Sequence, residues 1–255
     1  MKITNFRVVG WQTLLALVLA TTGCSGSLPS DILPKINNLE MRKMLAQEFD
    51  ANSDGKLSPD EVVQIKEVNF GSRVGEDYNG IKYLAALETF DGNGCKMHSL
   101  DLSENEMLKE CRMMNLDELK SISVPQNIQY LSLLRARALN AVNLPNLPFL
   151  RMLVVSESPV TDFSTGECPS LTTLTVDDTY IKDLDLSKYS RLEELFCSNT
   201  KVVELDLSTL KNLKLVRCKG VKRVILSPEQ KIEGLNVGPD YKYCIDRDTE
   251  IITKK

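Results

Sequence analysis

The sequence predicts an α/β-type solenoid preceded by a small helical cap, and three observations carry that expectation. A hydrophobic frame starts at Leu87, Leu108, Ile128, Leu150, Leu171, Leu192, Leu213 and Ile232, in steps of 21, 20, 22, 21, 21, 21 and 19 residues. Self-similarity at such a period is the mark of a stacked-repeat architecture. The second observation is that each unit repeats an inner place, held in turn by Gly92, Met113, Leu133, Val155, Val176, Cys197, Cys218 and Val237. The third is composition: 255 residues, 42% hydrophobic and 26% charged, hold enough apolar material for one sizeable core or two small ones. One coil of about 21 residues cannot bury its own leucines, so neighbouring coils must stack and share a core.

In chain order, residues 1–23 carry Lys2 and Arg7 ahead of the apolar run Leu14–Ala20, which is too short to span a bilayer and reads as a signal peptide. The run ends in Leu19-Ala20-Thr21-Thr22-Gly23-Cys24, which resembles the lipobox of bacterial lipoproteins. That resemblance implies acylation of Cys24, which would become the new N-terminus as a membrane anchor. Cleavage as an ordinary secretory signal, leaving Cys24 a plain thiol, is the alternative. Loss of residues 1–23 takes the net charge from −4 to −6. The expected location is the cell envelope, lipid-anchored at the outer membrane. No acidic run follows Cys24, the first acid being Asp31, so surface and periplasmic orientations both stay open.

Residues 24–34 are expected to form the lipidated tether, and residues 35–67 a helical cap. Met41, Leu45 and Phe49 fall on one helical face. They lead into Asp50-Ala51-Asn52-Ser53-Asp54-Gly55-Lys56-Leu57-Ser58-Pro59-Asp60-Glu61, whose spacing resembles an EF-hand or dockerin calcium loop. Calcium takes six to eight hard oxygens. The resemblance assigns these to Asp50, Asn52, Asp54, the Lys56 carbonyl, a water held by Ser58, and both oxygens of Glu61. A structural calcium ion is therefore the expected cofactor. The same residues also read as a plain turn at Asn52–Gly55, followed by a capping box at Ser58–Glu61 with proline at the first helical position. A single loop of this kind suits a structural clip better than a switch.

The repeat region is expected over residues 68–237, as about seven to eight units with a lead-in at Val68-Asn69-Phe70. A tail of Leu-Asp-Leu-Ser recurs at Leu100–Ser103, Leu184–Ser187 and Leu205–Ser208. This pattern resembles the leucine-rich repeat, and in particular the 21-residue repeats of internalin-like bacterial surface proteins. The resemblance implies one short parallel strand per coil on a concave side and mostly irregular returns. The place that usually carries an asparagine ladder here holds Cys95, Ala136, Ser158, Thr179 and Thr200, so hydroxyls are expected to replace asparagines in the C-terminal half. Residues 238–255 are left as a C-terminal cap or tail.

Six cysteines remain beyond Cys24, with no Cys-x-x-Cys pair. Cys197 and Cys218 share the inner place of consecutive coils and should stack roughly 5 Å apart as buried thiols. Two thiols with no histidine do not close a zinc site. A disulfide involving Cys168 or Cys244 cannot be deduced from spacing.

On an alternating strand the residues beside the inner leucines face outward. They include Glu110, Arg112, Met114, Tyr130, Leu134, Met152, Val154, Thr173, Thr175, Glu194, Phe196, Leu215 and Arg217. Aromatic, methionine and arginine side chains are the types enriched in interface hot spots. A protein-binding patch is therefore expected at Tyr130, Met152, Val154 and Phe196, unless these are strand formers with no partner. No block of five like charges occurs, which argues against nucleic acid. His98 is the one histidine, which removes most imidazole-dependent catalysis, and no enzyme activity is expected. Protein recognition is the primary reading. A glycan- or polysaccharide-binding surface lipoprotein stabilised by calcium is the alternative, weakened because the one tryptophan, Trp11, lies in the signal segment.

Overall fold

A computed structural model of the chain describes residues 30–233, 235 and 244–254. The signal segment, Cys24, Val237 and residues 238–243 of the expected tail lie outside the described residues. No helix among the described residues is long and apolar enough to cross a membrane.

The described chain opens with packed rather than tethered residues. Ile32 is fully buried, as is Ile36, around a 3-10 turn at Leu33–Lys35. The packed body therefore begins ahead of the boundary expected at residue 34, because two isoleucines supply a hydrophobic edge for the cap. Helix α1 (Leu39–Phe49) starts where the Asn38 side chain accepts a hydrogen bond from the Met41 N–H at 3.0 Å. It buries Met41, Met44 and Leu45, so Met44 joins the face read from the sequence, while Phe49 is only partly buried against the core. Helix α2 (Pro59–Val62) is a single turn with proline in its first turn.

Eight strands then form one parallel sheet: β1 (Glu67–Asn69), β2 (Thr89–Asp91), β4 (Glu110–Met114), β6 (Tyr130–Leu134), β8 (Met152–Ser156), β10 (Thr173–Thr175), β11 (Glu194–Phe196) and β13 (Leu215–Arg217). The register aligns Val68, Phe90, Cys111, Leu131, Leu153, Leu174, Leu195 and Val216 as one row of paired residues. This is the frame read from the sequence, including the lead-in unit at Val68. Every member of that row is buried, with the adjacent row Met113, Leu133, Val155, Val176, Cys197 and Cys218 beside it. The core is thus a stack of aliphatic layers, each coil covering the next.

The returning side of the coils carries shorter ladders. β3 (Ser99–Asp101) pairs with β5 (Ser121–Ser123), and β7 (Ala141–Leu144) with β9 (Asp162–Thr165). β12 (Glu204–Asp206), β14 (Arg223–Leu226) and β15 (Glu250–Thr253) form the third group. The eight-stranded sheet keeps every ladder closed and is termed the concave side, and the interrupted returning side the convex side.

Each coil turns its corner in the same way. Gly94, Asn115, Arg135, Glu157, Asp178, Asn199 and Gly220 all have positive φ, between 51° and 96°, two residues after the inner place. Glycine and asparagine tolerate this left-handed region, whereas Arg135 and Glu157 hold it against their own preference. The next residue completes the corner. Thr179 and Thr200 donate from Oγ1 to the carbonyls of Val176 and Cys197 at 2.8 and 3.0 Å, and Ser158 donates to Ser156 O at 2.9 Å. Hydroxyls take the capping role in the C-terminal half, as expected from the sequence.

The last coil departs from the expected frame. The Val176 and Cys197 N–H groups donate to Phe196 O and Arg217 O, but the Cys218 N–H donates to Cys244 O at 2.7 Å. The final unit is therefore longer than the 19-residue step predicted at Ile232, which keeps a single bridge from Glu233 to Leu215. Residues 244–254 rejoin the stack as its last turn, with Ile245 buried and β15 added to the convex side.

Candidate functional site

Strand register decides which outward side chains meet on the concave face. Tyr130 lies directly across from Met152, and Ser132 from Val154, on neighbouring strands β6 and β8. Leu134 and Met114 are paired across β6 and β4. Met114, Tyr130, Leu134, Met152 and Val154 thus form a half-buried apolar patch around Ser132, whose direct partner on β4 is Arg112. Phe196 does not touch this group in register. Thr175 stands between Val154 and Phe196, which puts roughly 10 Å between their strands at the usual ~4.8 Å spacing. Phe196 instead carries the Arg217 guanidinium 5.5 Å from its ring centre. The four residues singled out from the sequence are therefore a trio and a separate aromatic–cation pair.

Charges bracket the patch. Glu110 and Arg112 form an ion pair on β4, and Glu194 accepts from Thr173 Oγ1 at 3.3 Å. Asp177 accepts from the Ser198 N–H at the C-terminal edge of the sheet, and burial pushes its carboxyl above the usual range.

In the cap, Asp50 Oδ2 accepts from the Gly55 N–H at 2.8 Å and Asn52 Oδ1 from the Asp54 N–H at 2.8 Å. Asp54 Oδ1 accepts from the Lys56 N–H at 2.9 Å. Glu61 reaches back across the loop: Oε1 accepts from the Ala51 N–H at 3.0 Å, and Oε2 from the Ser58 N–H and hydroxyl at 2.9 and 2.7 Å. The hydrogen bonds from the Ser58 backbone and hydroxyl hold the Glu61 carboxyl below its ordinary value. The turn and the capping box read from the sequence are both present. Side-chain oxygens of Asp50, Asn52, Asp54, Ser58 and Glu61 lie in one loop with the Lys56 carbonyl, and this donor chemistry fits a hard cation. Among the described residues, however, no three Asp, Glu, His or Cys side chains are gathered as a ready metal set.

The loop has a backbone partner that sequence reasoning missed. Leu57, fully buried, accepts from the Ile32 N–H at 3.1 Å, and its own N–H donates to Asp31 Oδ1 at 3.0 Å. The segment expected to be tether supplies this second edge. The only hint in the sequence was Asp31-Ile32, an acid and an isoleucine in an otherwise Ser/Pro-rich stretch.

A second concavity lies on the flank where the convex ladders are interrupted. It holds about 760 Å³ and is lined by Thr161, Tyr180, Lys182, Asp183, Lys201, Val203 and Glu204. Val203 and Tyr180 are 60% and 53% exposed, well above the half-buried concave patch. Nothing in the repeat frame marks these positions, since they follow the corner, where spacing constrains the backbone and not the side-chain type.

The remaining sequence candidates fall into structural roles. Asp101, Asp185 and Asp206 each accept from the N–H and hydroxyl of the serine two residues on, with a 2.6 Å contact to Oγ in every case. They close turns. Cys197 and Cys218 are fully buried on adjacent coils, and burial pushes their thiols up, that of Cys218 to about 12. Such thiols stay protonated and are poor nucleophiles or metal ligands. Cys168 is buried and not disulfide-bonded. His98 is exposed, 3.5 Å from Glu118.

Neither a protein-family model nor a curated protein sequence matches this chain. Among solved structures, the chain is similar to a functional domain of InlJ from Listeria monocytogenes that includes a cysteine ladder. The identity is 15% and the TM-score 0.32, over 89% of this chain and 63% of that one. It is also similar to the internalin InlF of Listeria monocytogenes strain 4b F2365, at 15% identity and TM-score 0.33, over 80% of this chain and 93% of that one. This chain thus spans just under two thirds of the InlJ domain.

Proposed function

We propose that the protein is a non-catalytic cell-envelope lipoprotein, anchored through Cys24, whose repeat stack recognises a protein partner on its concave face. The observation that carries this reading is the register of β4, β6 and β8, which lays Met114, Tyr130, Leu134, Met152 and Val154 side by side around Ser132. An apolar centre with charged flanks is the usual anatomy of a protein-binding surface, and rigid strands preorganise it. Phe196 with Arg217 forms a second contact point on the same face. In this reading the cap holds one structural calcium ion through Asp50, Asn52, Asp54, Lys56, Ser58 and Glu61, which fastens the N-terminal end of the stack.

The test places a photo-crosslinking residue at Ser132 in living cells and compares the adducts with those of a Tyr130→Glu variant and a Phe196→Glu variant. One discrete protein adduct is expected, lost in Tyr130→Glu at unchanged melting temperature and weakened in Phe196→Glu. An adduct indifferent to both substitutions would reject the patch. Cys24→Ser should release the protein from the membrane fraction, and protease treatment of intact against lysed cells reports which side of the envelope the stack faces.

A further inference from the structure

We propose that the flank depression around Tyr180 is a binding site for an acidic saccharide, a sugar unit bearing a carboxylate or sulfate group. Its walls combine what such a ligand needs. Tyr180 offers an exposed ring, with Val203 beside it, for the apolar C–H face of a pyranose. Lys201 holds its ammonium 5.7 Å from the Tyr180 ring centre, so the cation and the platform are fixed relative to each other.

The charge balance points to an anion. Lys43, Lys66, Lys82, Lys109, Lys188, Lys214, Lys222 and Lys254 each have a carboxylate within 4.0 Å. Lys182 and Lys201, like Lys35, Lys56, Lys96, Lys120, Lys211 and Lys231, have none within that distance, but these two stand together in one depression although two carboxylates line it. Glu204 is already paired with Arg223 on β14. That leaves two uncommitted ammonium groups against the single carboxylate of Asp183, which can accept from sugar hydroxyls.

Size favours a saccharide unit over a protein. About 760 Å³ lies within the range of small-ligand clefts. The exposed apolar surface amounts to one ring and one valine, short of the roughly 800 Å² per partner that a stable protein interface buries. The position follows from the fold, because between β9 and β12 the chain forms only the concave strands β10 and β11 and no convex strand, which leaves the convex wall open there. This site is on a different face from the concave patch and stands or falls independently of it.

Titration calorimetry of the full chain with hyaluronan, chondroitin sulfate and oligogalacturonate hexasaccharides tests the assignment, with chitohexaose as neutral probe and sodium sulfate and hexaglutamate as non-sugar anions. At least one acidic hexasaccharide should bind roughly tenfold or more tighter than chitohexaose, with affinity falling as salt rises. Tyr180→Ala and the double variant Lys182→Gln/Lys201→Gln should each weaken that binding by roughly tenfold or more, while Tyr130→Glu on the concave face leaves it unchanged. All three variants alter exposed or half-exposed side chains, and an unchanged melting temperature confirms that each is folded. The proposal is overturned if none of the three acidic sugars binds, or if binding survives both flank substitutions. It is equally overturned if sulfate or hexaglutamate binds as tightly as the sugars, which would leave a general anion or acidic-peptide site.

Discussion

The concave and convex sides of this protein are made by the same coils, yet one is a continuous sheet of eight strands and the other is divided into ladders of two, two and three. Curvature of a stack produces such a difference. Adjacent strands must stay about 4.8 Å apart to keep their hydrogen bonds, and a curved stack can hold that spacing along only one arc. On the longer arc the backbone groups find other partners. Asn105 Nδ2 donates to Ile81 O and Leu84 O at 2.9 and 3.1 Å, Gln230 Nε2 donates to Leu207 O and Leu210 O, and the Asp–Ser turns close on themselves. The concave side is therefore rigid and uniform, suited to presenting a flat patch. The convex side and flanks are irregular, which is where a depression can open.

Proline substitution on the two sides gives the largest expected contrast. Thr175→Pro breaks a central strand paired on both edges and should cost about 3 kcal/mol or more. Asp183→Pro falls in the unpaired convex stretch and should cost less than about 1 kcal/mol. Urea midpoints measure both, and equal losses would refute the contrast between the two sides. Next in size is Asn105→Ala, which strands two buried carbonyls and should cost about 2–4 kcal/mol in the same assay.

The cap sharpens the comparison from a third direction, because its loop is held by side chain-to-backbone bonds and not by a ladder. At a dissociation constant of ~0.1 mM, ~1 mM calcium would stabilise the folded chain by ~1.4 kcal/mol. The expected observation is a rise of a few degrees in melting temperature with calcium, absent in Glu61→Gln, and no rise in the parent protein would eliminate the calcium reading. Smallest are the convex turn acids. Hydrogen bonds from Ser187 hold the Asp185 carboxyl below its ordinary value of 3.8, and the Lys254 ammonium does the same for Asp206. A depressed folded value means that each contributes stability at neutral pH, and that this contribution fades as pH falls below about 4. Asp185→Ala should cost about 0.5–1 kcal/mol at pH 7 and progressively less toward pH 3, as followed by thermal melts.

The repeat frame was legible in the sequence because burial of a strand in a stack demands an apolar residue at fixed intervals, and a one-residue slip would turn it outward. Thr179 and Thr200 could likewise be read as capping residues, since a corner that repeats must be satisfied each time. The left-handed residue ahead of them was not legible, because Arg135 and Glu157 are types that rarely adopt it and only the shared corner of the stack imposes it. The last coil failed for a related reason: its return runs through an insertion, and only the Cys218–Cys244 hydrogen bond shows where the frame resumes.

Taken alone, the sequence determined the solenoid, its inner row from Val68 to Val216, the buried cysteines and the oxygen pattern of the cap loop. All of these are local patterns that recur or follow a fixed spacing. Only the tertiary structure decided that Phe196 stands apart from Tyr130, Met152 and Val154, that Ile32 pairs with Leu57, and that Tyr180 and Lys201 meet beside an open flank. Those relations depend on which strand is neighbour to which and on how the stack curves, and both are set by the packing of the whole array.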